Sequence, residues 1–171
     1  MRVEEVEVWI TCDGHQLAEF GAEPSRSSPR TLACYIPSEA GKTFAFNWKS
    51  TMTLPSGVYL RYDFTIDGSS AGAQWSYQWE KPGSRWGVRT CLTLRRPFTF
   101  APLTTTDDDA VCNDTEAMDL GTIQVRVWRG RSKPIADPTG SAEYIAFTPT
   151  SIVHERSKKA GVHCVTCARY A

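Results

Sequence analysis

The sequence predicts an all-β fold: an antiparallel two-sheet sandwich, jelly-roll-like or Greek key, with a partly open β-barrel as the alternative. Three observations carry this expectation. Apolar residues recur at every second position in segment after segment. Turn-forming Gly, Asp and Pro separate these segments. No segment shows the apolar spacing of a long helix. The chain's 171 residues suit one domain with a sizeable core, and 41% hydrophobic against 22% charged residues excludes a disordered chain.

Taken in order, Val6, Val8 and Ile10 alternate with Glu5, Glu7 and Trp9. Glu23 to Arg30, with two prolines and three serines, reads as a surface loop. Phe44, Phe46 and Trp48 form the next apolar row. Val58, Leu60, Tyr62, Phe64 and Ile66 form the longest, alternating with Tyr59, Arg61, Asp63 and Thr65. Trp75, Tyr77 and Trp79 share one face of a further strand, and Trp86, Val88, Thr90, Leu92 and Leu94 continue the pattern. Thr106 to Asp109 could open a short helix, with Thr106 as its cap. Ile123, Val125 and Val127 alternate with Gln124, Arg126 and Trp128; Ala142 to Phe147 and Ser151 to His154 are shorter candidates. Asp13-Gly14, Pro55-Ser56-Gly57, Asp67-Gly68 and Lys81-Pro82-Gly83 supply turn chemistry between rows. Residues 1–162 are expected to form the single sandwich, and 163–171 a C-terminal tail.

The net charge of zero argues against a general polyanion binder. It conceals an uneven distribution. From Thr104 to Leu120 there are six acids and no base, and from Arg126 onward eight bases face three acids. Pairing of the two regions within the fold is the economical expectation. No run is apolar enough to span a membrane, and the acidic start Met1-Arg2-Val3-Glu4-Glu5 is unlike a secretory signal. A cytoplasmic or nuclear location follows as the expectation.

Six cysteines in a reducing compartment are expected as thiols. Cys12 and His15, with Cys164 and Cys167, could in principle supply four zinc ligands, although pairs at opposite ends of a chain are no standard zinc motif. Asp107, Asp108 and Asp109 could offer oxygens to calcium, but without the spacing of a helix-loop-helix site. Neither metal is expected, and no cofactor is.

The main binding candidate is an aromatic hairpin. Trp75, Tyr77 and Trp79 would lie on one strand face, with Trp86 across the Lys81-Pro82-Gly83 turn and Arg85 and Arg89 beside it. Exposed, such a row could stack on sugar rings or bases while the arginines meet a phosphate or carboxylate. Large aromatics more often fill cores, so the sequence favours placing this row between the sheets. The bases Arg126, Arg129, Arg131, Lys133, Arg156, Lys158 and Lys159 belong to no recognisable nucleic-acid module. His154-Glu155 has no identifiable catalytic partner, and no nucleophile elbow, phosphate loop or zinc-protease motif occurs.

Several phrases occur in an ordered set. They include Cys34-Tyr35-Ile36-Pro37-Ser38-Glu39-Ala40-Gly41-Lys42-Thr43-Phe44, Ile66-Asp67-Gly68, Arg96-Pro97-Phe98-Thr99-Phe100, Thr106-Asp107-Asp108-Asp109-Ala110, Leu120-Gly121-Thr122-Ile123, and Val153-His154-Glu155-Arg156-Ser157-Lys158-Lys159-Ala160-Gly161. On these, almost the whole chain resembles a family of mushroom-forming fungi catalogued as a domain of unknown function. The resemblance implies an intracellular protein and assigns no catalytic residue or ligand. Cys164 to Ala171 departs from the family pattern, where a basic or polar residue follows this His.

The functional expectation is an intracellular, non-catalytic binding module that recognises a protein or associates with itself. A lectin-like carbohydrate module using the aromatic hairpin is one alternative, and an enzyme of unspecified chemistry is another.

Overall fold

The computed structural model describes residues 1–25, 28–77, 82–91, 94–106, 119–131, 152–154 and 163–167. Its strands are β1 (Arg2–Val3), β2 (Val6–Cys12), β3 (His15–Gln16), β4 (Phe20–Ser25), β5 (Ser28–Tyr35), β6 (Thr43–Ser50), β7 (Val58–Ile66) and β8 (Ser69–Ser76). They continue as β9 (Gly83–Arg85), β10 (Gly87–Arg89), β11 (Arg95–Pro102), β12 (Thr104–Thr106), β13 (Ile123–Arg131), β14 (Ile152–His154) and β15 (His163–Cys167). The fold is all-β, as expected, and none of its sheets closes into a barrel. Among the described residues, no helix is long and apolar enough to cross a membrane.

The larger sheet runs β1-β2-β6-β11-β10, with β3 also on β2, β9 on β6 and β15 on β11. The smaller runs β13-β7-β8. Both are antiparallel throughout. Two short pairs stand beside them: β4 with β5, antiparallel, and β12 with β14, parallel.

The alternating rows explain why the two sheets pack. In β6, Phe44, Phe46 and Trp48 are buried; in β7, Val58, Leu60, Tyr62, Phe64 and Ile66 are. Their rings meet between the sheets: Phe46 lies 4.9 Å from Phe64, and Trp48 5.3 Å from Tyr62, centroid to centroid. Phe98 and Phe100 of β11 extend the layer, stacked on Phe44 at 5.5 and 4.6 Å. Such pairs add about 0.5–1.5 kcal/mol each beyond the area they bury. Gly83 completes the packing, because a Cβ there would stand 2.3 Å from the Trp48 ring.

Two turns fulfil their sequence signals closely. Asp13-Gly14 and Asp67-Gly68 each have positive φ at both residues and join strands whose flanking residues pair directly. This is the two-residue hairpin turn that matches strand twist. Asp67 is also buried, and its Oδ1 accepts a 2.7 Å hydrogen bond from the Gly121 N–H. The β7–β8 turn thereby anchors the entry to β13.

Several expectations need correction. The loop expected at 23–30 contains parts of the β4–β5 hairpin, whose pairing is interrupted by register shifts; these breaks hide the period-two signal. Residues 163–167, expected in a tail, run as β15 against β11. Strand β9, which opens at Gly83, does not pair with β8 as a hairpin at Lys81-Pro82-Gly83 requires. The chain leaves β8 in the smaller sheet and enters β9, which pairs with β6 in the larger. The row expected from Trp86 breaks after β10, and β11 carries the next core residues. Thr106 ends strand β12; Asp107, Asp108, Asp109 and the candidate strand at 142–147 lie outside the described residues.

The packing predicts two stability effects, measurable by chemical denaturation. Phe46→Ala removes a fully buried ring and lowers stability by about 3–5 kcal/mol. Gly83→Ala forces Trp48 aside and costs about 1–3 kcal/mol, although it adds a single methyl group.

Candidate functional site

The inward rows decide what the smaller sheet shows to solvent. With Leu60, Tyr62 and Phe64 facing the core, Tyr59, Arg61 and Asp63 face out. The register places Trp128 of β13 and Trp75 of β8 on either side of Arg61. Cross-strand partners share a face, so Trp128, Arg61 and Trp75 form one row across all three strands.

Trp75 is 38% exposed and Trp128 55%. The Arg61 guanidinium lies over the Trp75 ring, 5.3 Å from its centroid, and its Nε donates to Asp63 Oδ1 at 2.7 Å. The ion pair with Asp63 and the Trp75 ring orient the guanidinium. Beside this row Tyr77, half exposed, tilts against Tyr59 at 5.9 Å. Tyr59 in turn covers Gly130, where a Cβ would stand 2.4 Å from the ring. A shallow open groove of about 280 Å³ follows, lined by Tyr59, Arg61, Asp63, Trp128, Arg129 and Gly130.

The aromatic candidate therefore divides. Trp75 and Tyr77 belong to this outer face and not to the core, as the sequence had favoured. Ser76, buried opposite Leu60, takes the inward position. Ala71 and Gly72 are buried in succession at a bulge in β8, where the strand shifts register. That shift separates the parity of Trp75 from the start of the strand. Trp86 is exposed but sits between β9 and β10 at the larger sheet, together with Arg85 and Arg89. Trp79 lies outside the described residues.

Sequence reasoning did not single out Arg61, Asp63, Tyr59 or Trp128. Their signal was present as the polar half of two alternating rows. What was missing was the pairing of β7 with β13, which brings those halves together.

The zinc candidates do not assemble. Cys12 and His15 are partners across the β2–β3 turn. Cys12 pairs with Phe44, Phe44 with Phe98, and Phe98 with Cys167. Three strand spacings, about 14 Å, separate the backbones of Cys12 and Cys167. Four ligands on one zinc ion must come within about 4 Å of one another. Cys164 sits farther along β15, opposite Ala101. Among the described residues, no group of three or more His, Cys, Asp or Glu could hold a metal ion. His15 is exposed in its hairpin, while His154 and His163 lie on β14 and β15.

Cys12 and Cys34 are free thiols. Burial pushes the Cys12 thiol pKa up, with Asp13 adding to it, and burial with Glu19 does the same for Cys34. Cys91 is exposed.

Comparison with known proteins gives one match. A family model described as a domain of unknown function (DUF7918) covers residues 5–166. No curated protein matches the chain, and no solved structure does.

The thiol environments predict slow alkylation. A raised pKa leaves less thiolate at pH 8, so iodoacetamide should modify Cys12 and Cys34 more slowly in the folded chain than in the urea-unfolded chain, read by peptide mass mapping. Faster labelling of Cys12 or Cys34 would contradict the burial described here.

Proposed function

The chain belongs to the DUF7918 family, and from that premise we propose that it is a non-catalytic binding module whose docking surface is the outer face of the β13-β7-β8 sheet. One observation carries this reading: the exposed Trp128–Arg61–Trp75 row. Trp, Tyr and Arg are the residues that dominate interface energetics, because each adds a large area at little entropic cost or several directed hydrogen bonds. An antiparallel face with exposed indoles is unusual where a sheet simply meets water, since polar residues normally fill that side.

The charge on this face points to an acidic protein partner. Arg61 and Arg126 lie on it, whereas Arg129 and Arg131, the partners of Leu60 and Val58, are exposed on the other face of β13. Asp63 is the acid among them, and it is occupied by Arg61. Among the described residues Arg126, Arg129 and Arg131 form no ion pair. Opposite charge on a partner would speed encounter and fix orientation. The free thiols Cys12 and Cys34 suit a reducing compartment, which supports action inside the cell.

A second reading rests on the Arg61–Asp63 pair beside Trp75, with Trp128 as the neighbour of Arg61 on β13. Sugar rings offer an apolar face to stack on aromatics and hydroxyls that hydrogen-bond to a carboxylate and guanidinium. The groove beside Trp128 would then take a carbohydrate.

Affinity capture from native lysate, followed by quantitative binding to the recovered partner, tests the first reading. Trp75→Ala and Trp128→Ala should each weaken binding by about 2 kcal/mol, roughly thirtyfold in Kd, without loss of fold. Arg61→Glu should abolish it, and raised salt should slow association. Unchanged binding by all three variants would overturn the proposal. Glycan-array binding that is lost in Asp63→Asn would favour the carbohydrate reading instead.

A further inference from the structure

Strand β13 stands at the edge of the smaller sheet. Its nine residues pair with β7 without a register shift. Among the described residues, no strand and no backbone hydrogen bond meets its other side. Alternate residues of such an edge turn their N–H and C=O groups outward and offer an incoming chain a ladder. Proteins usually blunt a long edge with a proline, a bulge or a short strand. β13 has none of these. It carries charge instead: Arg126, Arg129 and Arg131, with no acid.

The exposure of β13 does not alternate along its length. Ile123 and Val125 pack against the core. From Arg126 to Arg129, four successive residues are exposed, so both faces of the strand meet solvent there. Val127 is 37% exposed although its partner Tyr62 is fully buried. Trp128 is exposed on the opposite face, beside Arg126. A surface laid on one face of the sheet would meet only part of this set. A strand added beside β13 meets all of it, because its own side chains alternate between the same two faces.

We propose that the free edge of β13 binds an extended, acidic segment of a partner protein, which joins the smaller sheet as a fourth strand. This rests on the reading of the same sheet as a docking surface for an acidic protein, and it gives the form of the contact. Charge selects the occupant. A second copy of β13 would bring its arginines onto this set with no acid between them, and opposed like charges destabilise a strand pair. Acids opposite Arg126, Arg129 and Arg131 would each gain a cross-strand partner. Apolar residues opposite Val127 and Trp128 would cover what water now meets. In strand addition the main-chain ladder supplies affinity, and the alternate side chains supply selectivity.

Antiparallel to β13, the capped heptapeptide Glu-Ser-Glu-Tyr-Val-Glu-Val sets its acids opposite the three arginines. The test is amide NMR of the isotope-labelled full chain. In the free chain, hydrogen exchange should alternate along β13, slow where the N–H bonds to β7 and fast where it faces the edge. The peptide should shift and protect the fast set. N-methylation of alternate peptide amides should abolish binding in one phase and spare it in the other, which a peptide lying on the outer face would not show. Replacing each Glu by Lys should abolish binding. The double variant Arg126→Glu, Arg129→Glu should bind the Lys peptide in place of the Glu peptide, a gain that a misfolded chain would not show. Slow exchange of every β13 amide in the free chain would mean that the chain itself fills the edge, and would overturn the proposal. Shifts of the edge amides on concentrating the chain alone would assign the edge to a second copy and overturn it too. No shift at millimolar peptide, alongside weakened partner binding by Trp75→Ala, would remove the edge site and leave the docking face standing.

Discussion

The structure depends on the ring layer between β6 and β7. Phe46 against Phe64 and Trp48 against Tyr62 bring the two sheets face to face. Because a strand alternates, this one choice of inward residues fixes every outward residue on both elements. A shift of one position would bury Arg61 and Asp63 and expose five large apolar side chains. The register of β7 therefore holds firmly, and β8 and β13 inherit it through their pairing. The solvent face with Trp128, Arg61 and Trp75 is a direct consequence of the core.

The aromatic face comes from strand parity, with an ion pair and a cation–π contact to orient Arg61. Between β8 and β9 the chain crosses from one layer to the other, and Arg85 reaches back across the gap to the β8 backbone. The aromatic face suits a broad contact in which buried aromatic area supplies the energy.

Much of this was legible in the sequence where a local rule held. The rows of β2, β6 and β7 carried unbroken alternation, and the core follows them residue by residue. Asp13-Gly14 and Asp67-Gly68 carried the turn chemistry their backbones adopt. The sequence misled where a bulge or a crossing intervened. The bulge around Ala71 disguised the parity of Trp75, and the small Ser76 facing inward drew no notice beside three aromatics. Lys81-Pro82-Gly83 had the composition of a hairpin turn but connects different sheets, which separates Trp86 from Trp75. Long-range pairing is set by packing over the whole chain, so neither the β7–β13 partnership nor the approach of Arg85 to Ala73 had a local sign. The charge pattern stands midway. The bases on β13 are placed and free of described acids, while most of the acidic segment lies outside the described residues.

The central claim is that the tryptophans divide between core and docking face, Trp48 inside and Trp75 and Trp128 outside. Fluorine NMR of the full chain labelled with 5-fluorotryptophan, titrated with a soluble gadolinium chelate, measures this directly. Each resonance is assigned by a Trp→Phe variant. The account predicts strong broadening of the Trp75 and Trp128 signals and a Trp48 signal that stays sharp. Protection of Trp75 and Trp128 to the level of Trp48 would contradict it.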